Sequence, residues 1–351
     1  MDTDDLKIHR WGDVGDGYLG PAFHRRFRAG QILYGSRRTY LRKVAVADFD
    51  GVCANTTFVL ETTDPDRLAP GFLPFVMTSE PFHAFAIRES KGSVNPYVNW
   101  SDIAQYEFDL PRLDEQKRIA DLLWSLKRHL LRVEAARHAA SALVMQLRAE
   151  NFQRSRGGVR ADEVFEITIG RQRAPQHESG DYVVPYLRSA NVTPAGIDVS
   201  DVKSMNFTPV EQTKFRLAAG DVLVSEASAS QSSVGMPAVW KAEMDGPVCF
   251  QNTLLRYRAV DGRSLPGFVE QYCRWAFESG EFLYAASGTN IRHIGVRGAT
   301  AMRLEPTPIA EQEAFVESTG VASRMVDRLG SELDTLRLLW VSLRADLFGD
   351  R

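Results

Sequence analysis

The chain repeats itself, and nothing else in the sequence limits its fold as much. Residues 110–120 read LPRLDEQKRIA and residues 306–316 read PTPIAEQEAFV, so Glu115-Gln116 recurs as Glu311-Gln312, 196 positions later. The same offset returns at Leu147-Arg148-Ala149 and Leu343-Arg344-Ala345, and again at Phe152 and Phe348. Upstream, Val52-Cys53 matches Val248-Cys249, and Pro70-Gly71-Phe72 matches Pro266-Gly267-Phe268. Further back, Ala29–Leu33 resembles Ala219–Leu223 at an offset of 190, so the second copy carries six more residues between these landmarks. Matches in order along the chain describe two related halves, each a globular part followed by one and the same kind of segment.

That segment reads as a long helix. No proline occurs between Pro111 and Pro175, and none after Pro308. Ile119, Leu126, Val133, Ala140 and Leu147 fall seven apart, with Leu123, Leu130 and Val144 between them and Arg137 as the exception. In the second copy Phe315, Ala322, Leu329, Leu336 and Leu343 repeat the pattern, with Val326, Leu333 and Trp340 between them and Thr319 as the exception. A sustained apolar heptad specifies a coiled-coil seam. Thr307 before Pro308 suits a helix start. Each helix would run for roughly 38 residues, about 57 Å at 1.5 Å per residue, and two such helices in one chain most simply pair antiparallel.

Between the helices, short β-type runs appear at Gln31–Tyr34, Val44–Val46, Val222–Val224 and Leu254–Tyr257. Residues 68–88 and 265–287 read as helix, each followed by a glycine-containing loop, Lys91–Asn95 and Ser287–Ile291. The expected fold is α+β: two strand- and loop-rich α/β domains, residues 1–110 and 156–306, separated by two long antiparallel coiled-coil helices, residues 111–155 and 307–351. The whole forms a pseudo-two-fold repeat.

No apolar run approaches the roughly 20 residues of a membrane span. The acidic Met-Asp-Thr-Asp-Asp start has neither the basic nor the apolar region of a signal peptide. Cys53, Cys249 and Cys273 are too scattered for a disulfide framework or a zinc site. These features point to a cytoplasmic protein. A net charge of −3 argues against indiscriminate nucleic-acid binding but leaves room for a local basic surface, and Arg25, Arg26, Arg28, Arg37, Arg38, Arg42 and Lys43 form such a cluster.

The order of variable domain, LPRLDEQKRIADLL helix (110–123), variable domain and second such helix resembles the specificity (S) subunit of Type I restriction-modification systems over essentially the whole chain. The resemblance implies a non-catalytic, DNA-binding protein of phage defence. Each target-recognition domain would read one half of a bipartite site on double-stranded DNA. The helices would set the spacing and dock methyltransferase (M) subunits. AdoMet, ATP and Mg²⁺ would then belong to the M subunits and to restriction (R) subunits if present, with no cofactor in this chain. A rod of fixed length agrees with that division, because it makes half-site spacing a geometric property.

Bases must then be read by polar loop residues, since arginine can bind guanine and asparagine or glutamine adenine through two hydrogen bonds. The candidates are Tyr34, Ser36, Arg37, Arg38, Tyr40, Lys43, Lys91, Asn95 and Tyr97 in the first domain. In the second they are Arg171, Arg173, Arg188, Gln231, Gln251, Asn252, Asn290, Arg292 and His293. Ser225–Ser233, the counterpart of the first basic stretch, holds no Arg or Lys, so the two domains should read different half-sites. The first domain departs from the pattern: by the 190 offset Met1 corresponds to Asn191, and the equivalent of 156–190 is missing. Either a misplaced start codon or a shortened first domain accounts for this.

Other motifs carry less. Gly15, Gly17 and Gly20 spell G-x-G-x-x-G, but Pro21 follows where a dinucleotide site needs a helix. Pro65-Asp66 with Glu89-Ser90-Lys91 imitates a PD…ExK nuclease pattern without acid or lysine at the matching second-copy positions. Asn95-Pro96-Tyr97 falls one proline short of an adenine-methyltransferase motif and reads as part of a DNA-facing loop. Two alternatives from other classes remain: a truncated orphan DNA-binding modulator of such a system, and a PD…ExK-type nuclease.

Overall fold

The computed structural model describes residues 6–10, 12–13, 17, 19–152, 157–228, 233–288 and 292–349. The chain packs as two units, residues 1–136 with 328–351, and residues 137–327.

The first unit begins with strands β1 (Phe23–Phe27), β2 (Ile32–Gly35), β3 (Val44–Val46), β4 (Gly51–Ala54) and β5 (Thr57–Leu60). Helices α1 (Leu73–Met77), α2 (Glu80–Arg88) and α3 (Trp100–Ile103) follow, then the 39-residue α4 (Leu113–Asn151), whose first part belongs to this unit. The strands β3-β2-β5 form an antiparallel sheet, and β1-β4 a separate ribbon. Residues 68–88 break into α1 and α2 rather than one helix. Ser79 supplies the reason: it is extended, its hydroxyl accepts from the Phe82 amide, and Pro81 occupies the first turn. Ile32, Tyr34, Phe72, Phe75 and Phe82 form one core with Ile119, Ala120 and Leu123 of α4.

The second unit takes the rest of α4, then β6 (Val159–Arg160), α5 (Ala161–Val164), β7 (Phe165–Ile169), β8 (Val183–Leu187), β9 (Val192–Thr193), β10 (Gly196–Ile197) and β11 (Lys203–Asn206). After α6 (Pro209–Phe215) come β12 (Val222–Ser225), β13 (Ala227–Ser228), β14 (Pro237–Val239), β15 (Cys249–Phe250) and β16 (Leu254–Ala259). The chain closes with α7 (Pro266–Glu278), α8 (Glu281–Ala285), β17 (Arg292–His293), α9 (Gly295–Ala301), β18 (Arg303–Leu304) and the 40-residue α10 (Ile309–Phe348). Here too the expected single helix over 265–287 divides, at Gly280 with φ 77°. The main sheet runs β14-β12-β16-β7. Phe165, Leu255, Tyr257, Phe268 and Tyr272 fill the core beneath it.

The long helices lie antiparallel in each unit. In the first, Trp340, Leu343, Leu347 and Phe348 near the end of α10 pack on the core that holds the start of α4, and Lys127 lies 5.7 Å over the Trp340 ring. In the second, Phe152 at the end of α4 meets Phe315 near the start of α10, with ring centroids 5.4 Å apart. The seam residues Ile119, Leu126 and Val133 are buried, while Leu130, Leu147, Phe315, Val326, Leu329, Leu336 and Leu343 are half-buried. Both exceptions to the heptad have local explanations. Arg137 is exposed, and the buried Thr319 hydroxyl donates to the helix carbonyls of Phe315 and Val316.

The repeated Glu-Gln dipeptide has a structural job. In the first unit the Gln116 side-chain oxygen accepts from the Ala69 amide at 2.8 Å, and its NH₂ donates to the carbonyls of Arg67 at 3.0 Å and Pro111 at 2.8 Å. In the second unit Gln312 accepts from the Leu265 amide at 3.0 Å and donates to Arg263 and Thr307, both at 2.8 Å. Every partner is shifted by 196, like the glutamines themselves. Each clamp ties the first turn of a long helix to the loop before Pro-Gly-Phe. At Gly267 a side chain is excluded, because a Cβ would lie 2.6 Å from Val316 Cγ1.

The sheets repeat with one difference. Strands β3-β2-β5 correspond to β14-β12-β16, but in the second unit β16 is bordered by β7. Among the described residues of the first unit no strand pairs with the outer side of β5. Arg25 of β1 reaches it instead, donating to the Thr57 carbonyl at 2.8 Å with its guanidinium 5.5 Å from the Phe58 ring.

Candidate nucleic-acid interface

In the first unit two loops far apart in sequence are joined by backbone hydrogen bonds. Lys91 and Tyr97 exchange amide bonds at 2.7 and 2.9 Å, closing a seven-residue loop, and the Val98 amide donates to Ser36 at 3.0 Å. Arg37 and Tyr97 pair as an isolated bridge, and the Arg37 guanidinium lies 5.7 Å over the Tyr97 ring. The Arg38 amide donates to Pro96, and its Nε to Asn95 Oδ1 at 3.1 Å. Arg37, Arg38, Lys91, Asn95 and Tyr97, all sequence candidates, therefore share one exposed surface.

The backbone beside that surface is strained. Arg38 (φ 54°) and Arg42 (φ 51°) bracket a short 3₁₀ turn, Thr39–Leu41, in the left-handed region where non-glycine residues are uncommon. Arg42 is held to α2 by a two-bond pair with Glu80 at 2.6 and 2.7 Å. The turn thereby leaves Tyr40 and Leu41 exposed. Lys91 pairs with Asp102 at 3.0 Å, and this hydrogen bond holds the Asp102 carboxyl below its ordinary range. Lys43 is half-buried and packs along Gly35, where a Cβ would come within 2.9 Å of its own.

Two candidates of the first domain belong elsewhere. Tyr34 is 1% exposed and packs edge-on against Phe82 and stacked on Phe58, so it is a core residue; the alternation of β2 turns it inward. Ser36 is buried too, and its hydroxyl donates to the Thr56 carbonyl.

The second unit repeats the loop pair with different chemistry. Ser287 and His293 exchange the same two amide bonds, at 2.9 and 2.8 Å, and the Ile294 amide donates to Glu226 at 3.0 Å. The bridge of Arg37 with Tyr97 is matched by Ala227 with His293. The side chains differ: His293 Nδ1 lies 3.1 Å from Glu226 Oε2, where the first unit has an arginine over a tyrosine. Arg292 beside it has a buried Nε with no hydrogen-bond partner among the described residues.

A cleft of about 470 Å³ opens in the same unit, lined by Arg173, Glu178, Tyr186, Arg188, Lys203, Ser204, Met205 and Gln251. Asp201 sets its cations, accepting from Arg188 Nη2 at 2.5 Å and Lys203 Nζ at 3.0 Å. The Lys203 hydrogen bond, first among several, holds the Asp201 carboxyl below its ordinary range. Arg173 pairs with Glu178 at 2.9 Å. Gln251 is placed by its amide bond to Leu187 and by Gly170, where a Cβ would lie 2.2 Å from the Gln251 carbonyl oxygen.

The cleft thus collects Arg173, Arg188 and Gln251 from the sequence candidates. Asn252, half-buried, is joined through its amide to the Arg171 carbonyl. Arg171 itself is a correction. It is enclosed by Glu211 at 2.8 Å, His177 at 2.9 Å, the Asn206 carbonyl and the Phe207 ring, so it ties strands together rather than facing outward. Gln231 and Asn290 lie outside the described residues, as does Gly15 of the glycine motif. Sequence reasoning missed Lys203, Asp201 and Glu226. Lys203 shares one face of β11 with buried Met205, and a strand of four residues is too short for that period to be read.

Glu89 pairs with Arg88 and Lys91 with Asp102, so the acid and lysine of the nuclease-like pattern are engaged with other residues. Among the described residues no three His, Cys, Asp or Glu side chains group as metal ligands, and no helix is long and apolar enough to cross a membrane.

Residues 16–140 match the family model of the Type I restriction modification DNA specificity domain. The chain is 31% identical over 93 residues to the Type I restriction enzyme EcoDI specificity subunit of Escherichia coli; the alignment covers 26% of this chain and only 20% of that protein. Its fold is similar to that of the Type I restriction-modification S subunit from M. genitalium, with a TM-score of 0.61 at 14% identity over 96% of this chain and 87% of that one. A structure described as underlying complex assembly and conformational transition of the Type I system matches with a TM-score of 0.51 at 19% identity, over 95% and 85% of the two chains. Residues 16–140 are therefore similar to the Type I restriction modification DNA specificity domain, and the fold of the chain resembles that of a solved Type I S subunit.

Proposed function

We propose that the chain is the DNA-specificity subunit of a Type I restriction-modification complex, non-catalytic by itself and acting in the cytoplasm. Each unit would read one half of a bipartite site on double-stranded DNA, and the long helices would set the gap and dock M subunits. The observation that carries this reading is the repeated loop pair: the same backbone bridges hold 36–37 against 97–98 and 226–227 against 293–294, with unlike side chains on them. A duplicated scaffold with divergent loops is what two readers of different half-sites require. AdoMet, and ATP with Mg²⁺ where an R subunit is present, would be supplied by the partners.

The test is co-expression with a methyltransferase subunit from the same system, followed by mapping of methylated adenines. A bipartite motif is expected, with Arg37→Ala relaxing one half and Arg188→Ala the other, each by about 1–3 kcal/mol for a base no longer hydrogen-bonded. Absence of methylation would favour an orphan modulator instead. Cleavage of plasmid by the purified chain with Mg²⁺ alone would contradict a non-catalytic subunit.

A further inference from the structure

We propose that Glu226 is a positioning residue for His293, and that His293 selects, in the half-site of the second unit, a base carrying an exocyclic amino group in the major groove: adenine or cytosine. This rests on the reading of that unit as a DNA reader and gives the reader a chemistry. Both residues stand on the repeated loop pair. Glu226 takes the place of Ser36: its amide donates to the Thr253 carbonyl at 2.9 Å, as the Ser36 amide donates to Thr56 at 2.9 Å. Its carbonyl accepts from the Ile294 amide, as that of Ser36 accepts from Val98, both at 3.0 Å. His293 takes the place of Tyr97, held by two amide bonds to Ser287 and by strand pairing with Ala227. The scaffold thus sets the backbone at both positions, and the side chains are what differ.

In the first unit the Ser36 hydroxyl turns back onto the Thr56 carbonyl at 2.7 Å. A glutamate at the same place reaches further. The Glu226 side chain is 11% exposed, and its Oε2 lies 3.1 Å from Nδ1 of His293, whose side chain is 52% exposed. A carboxylate only accepts, so the hydrogen between them sits on Nδ1. The bond made by one ring nitrogen decides the role of the other, and in the neutral ring Nε2 is left as an acceptor. Burial of the carboxylate keeps water from competing for it, which holds the ring in one tautomer and one orientation. In the major groove an acceptor pairs with adenine N6 or cytosine N4 and is repelled by thymine O4 and guanine O6. The first unit offers the opposite polarity at the matching place, because the Arg37 guanidinium over Tyr97 has donors only. One scaffold therefore carries an acceptor in one copy and donors in the other, so the two half-sites differ in hydrogen-bond polarity there.

The experiment uses the full chain in complex with a methyltransferase subunit of the same system, and synthetic duplexes carrying its mapped methylation motif. At each position of both half-sites, adenine is replaced in turn by purine and cytosine by 2-pyrimidinone, each of which lacks only the amino group. One position is expected at which this deletion weakens binding roughly tenfold or more, and at which His293→Ala removes the difference. Glu226→Gln replaces the fixed acceptor by an amide that offers either an oxygen or an NH₂ to Nδ1, and so releases the tautomer. The same position should then take guanine or thymine within about threefold of the original base, with the other positions and the unfolding midpoint unchanged. A merely structural role would instead loosen every position of that half-site, and that outcome overturns the proposal. So does an equal response of the parent and His293→Ala complexes to every amino-group deletion, or an intact preference at the His293-dependent position in Glu226→Gln. A chain that directs no bipartite motif overturns the DNA-reader reading and this proposal with it, and the mapping step tells that failure from the others.

Discussion

At the scale of single residues, Gln116 shows how far a motif can be read without its reason. Its spacing marks a repeat, but only the structure reveals that one amide satisfies a backbone N–H and two carbonyls. Leucine has nearly the same volume and none of those bonds, so Gln116→Leu strands a buried amide and two carbonyls. A loss of about 2–4 kcal/mol is expected, measured by urea unfolding, and Gln312→Leu should cost the same within about 1 kcal/mol. His83 was silent in the sequence and carries a second prediction. Burial, with Arg42 and Arg344 nearby, pushes its imidazole down to about 4, against a smaller upward pull from Glu80. In the unfolded chain the ring takes its proton near 6.5. Between those values the unfolded state binds more protons, so stability falls as pH drops from about 6.5 to about 4, by roughly 3 kcal/mol for this group. Urea unfolding at pH 7 and pH 4.5 should show that loss, and His83→Leu should remove most of it. The same scale explains the misplaced DNA candidates. Tyr34 and Arg171 have the right chemistry for contacting DNA, but partners distant in sequence, Phe58 and Phe82 for one and Glu211 for the other, enclose them and decide their role. No local pattern reports that.

At the scale of elements, legibility follows the range of the forces that fix each one. The long helices were readable because a heptad repeats many times within one segment, and they form at Leu113–Asn151 and Ile309–Phe348. The breaks at Ser79 and Gly280 were not, because each depends on one residue's cap or φ inside an otherwise helical pattern. The seam makes a sharp prediction within the first unit. Leu126→Asp buries a carboxylate in the seam and should destabilise this unit by about 3 kcal/mol or more. Leu338→Asp, on α10 of the same unit and 73% exposed, should change stability by no more than about 0.5 kcal/mol. Equal effects of the two substitutions in thermal unfolding would contradict the seam as assigned.

At the scale of the whole molecule, the duplicated plan was the most legible property and the chemistry of its surfaces the least. Offsets of 190 and 196 come from sequence alone, and the backbone bridges obey both: Ser36 to Val98 becomes Glu226 to Ile294, and Lys91 to Tyr97 becomes Ser287 to His293. What the loops touch was not readable, since the cleft draws Arg173, Arg188, Lys203 and Gln251 from separate strands and loops. The bridges make the loops exchangeable. Residues 91–97 and 287–293 are both seven long and are closed by the same pair of amide bonds, so the anchors do not depend on the side chains between them. Replacing 91–97 by the sequence of 287–293 should therefore leave the fold intact, with an unfolding midpoint within a few degrees of the parent. The graft removes Lys91, Asn95 and Tyr97 and with them the support under Arg37 and Arg38. If each unit reads its own half-site, the methylated motif obtained with a methyltransferase subunit should change in one half and keep the other. A change in both halves would mean that the loops act jointly, and a motif unchanged in either half would place base reading outside this loop pair.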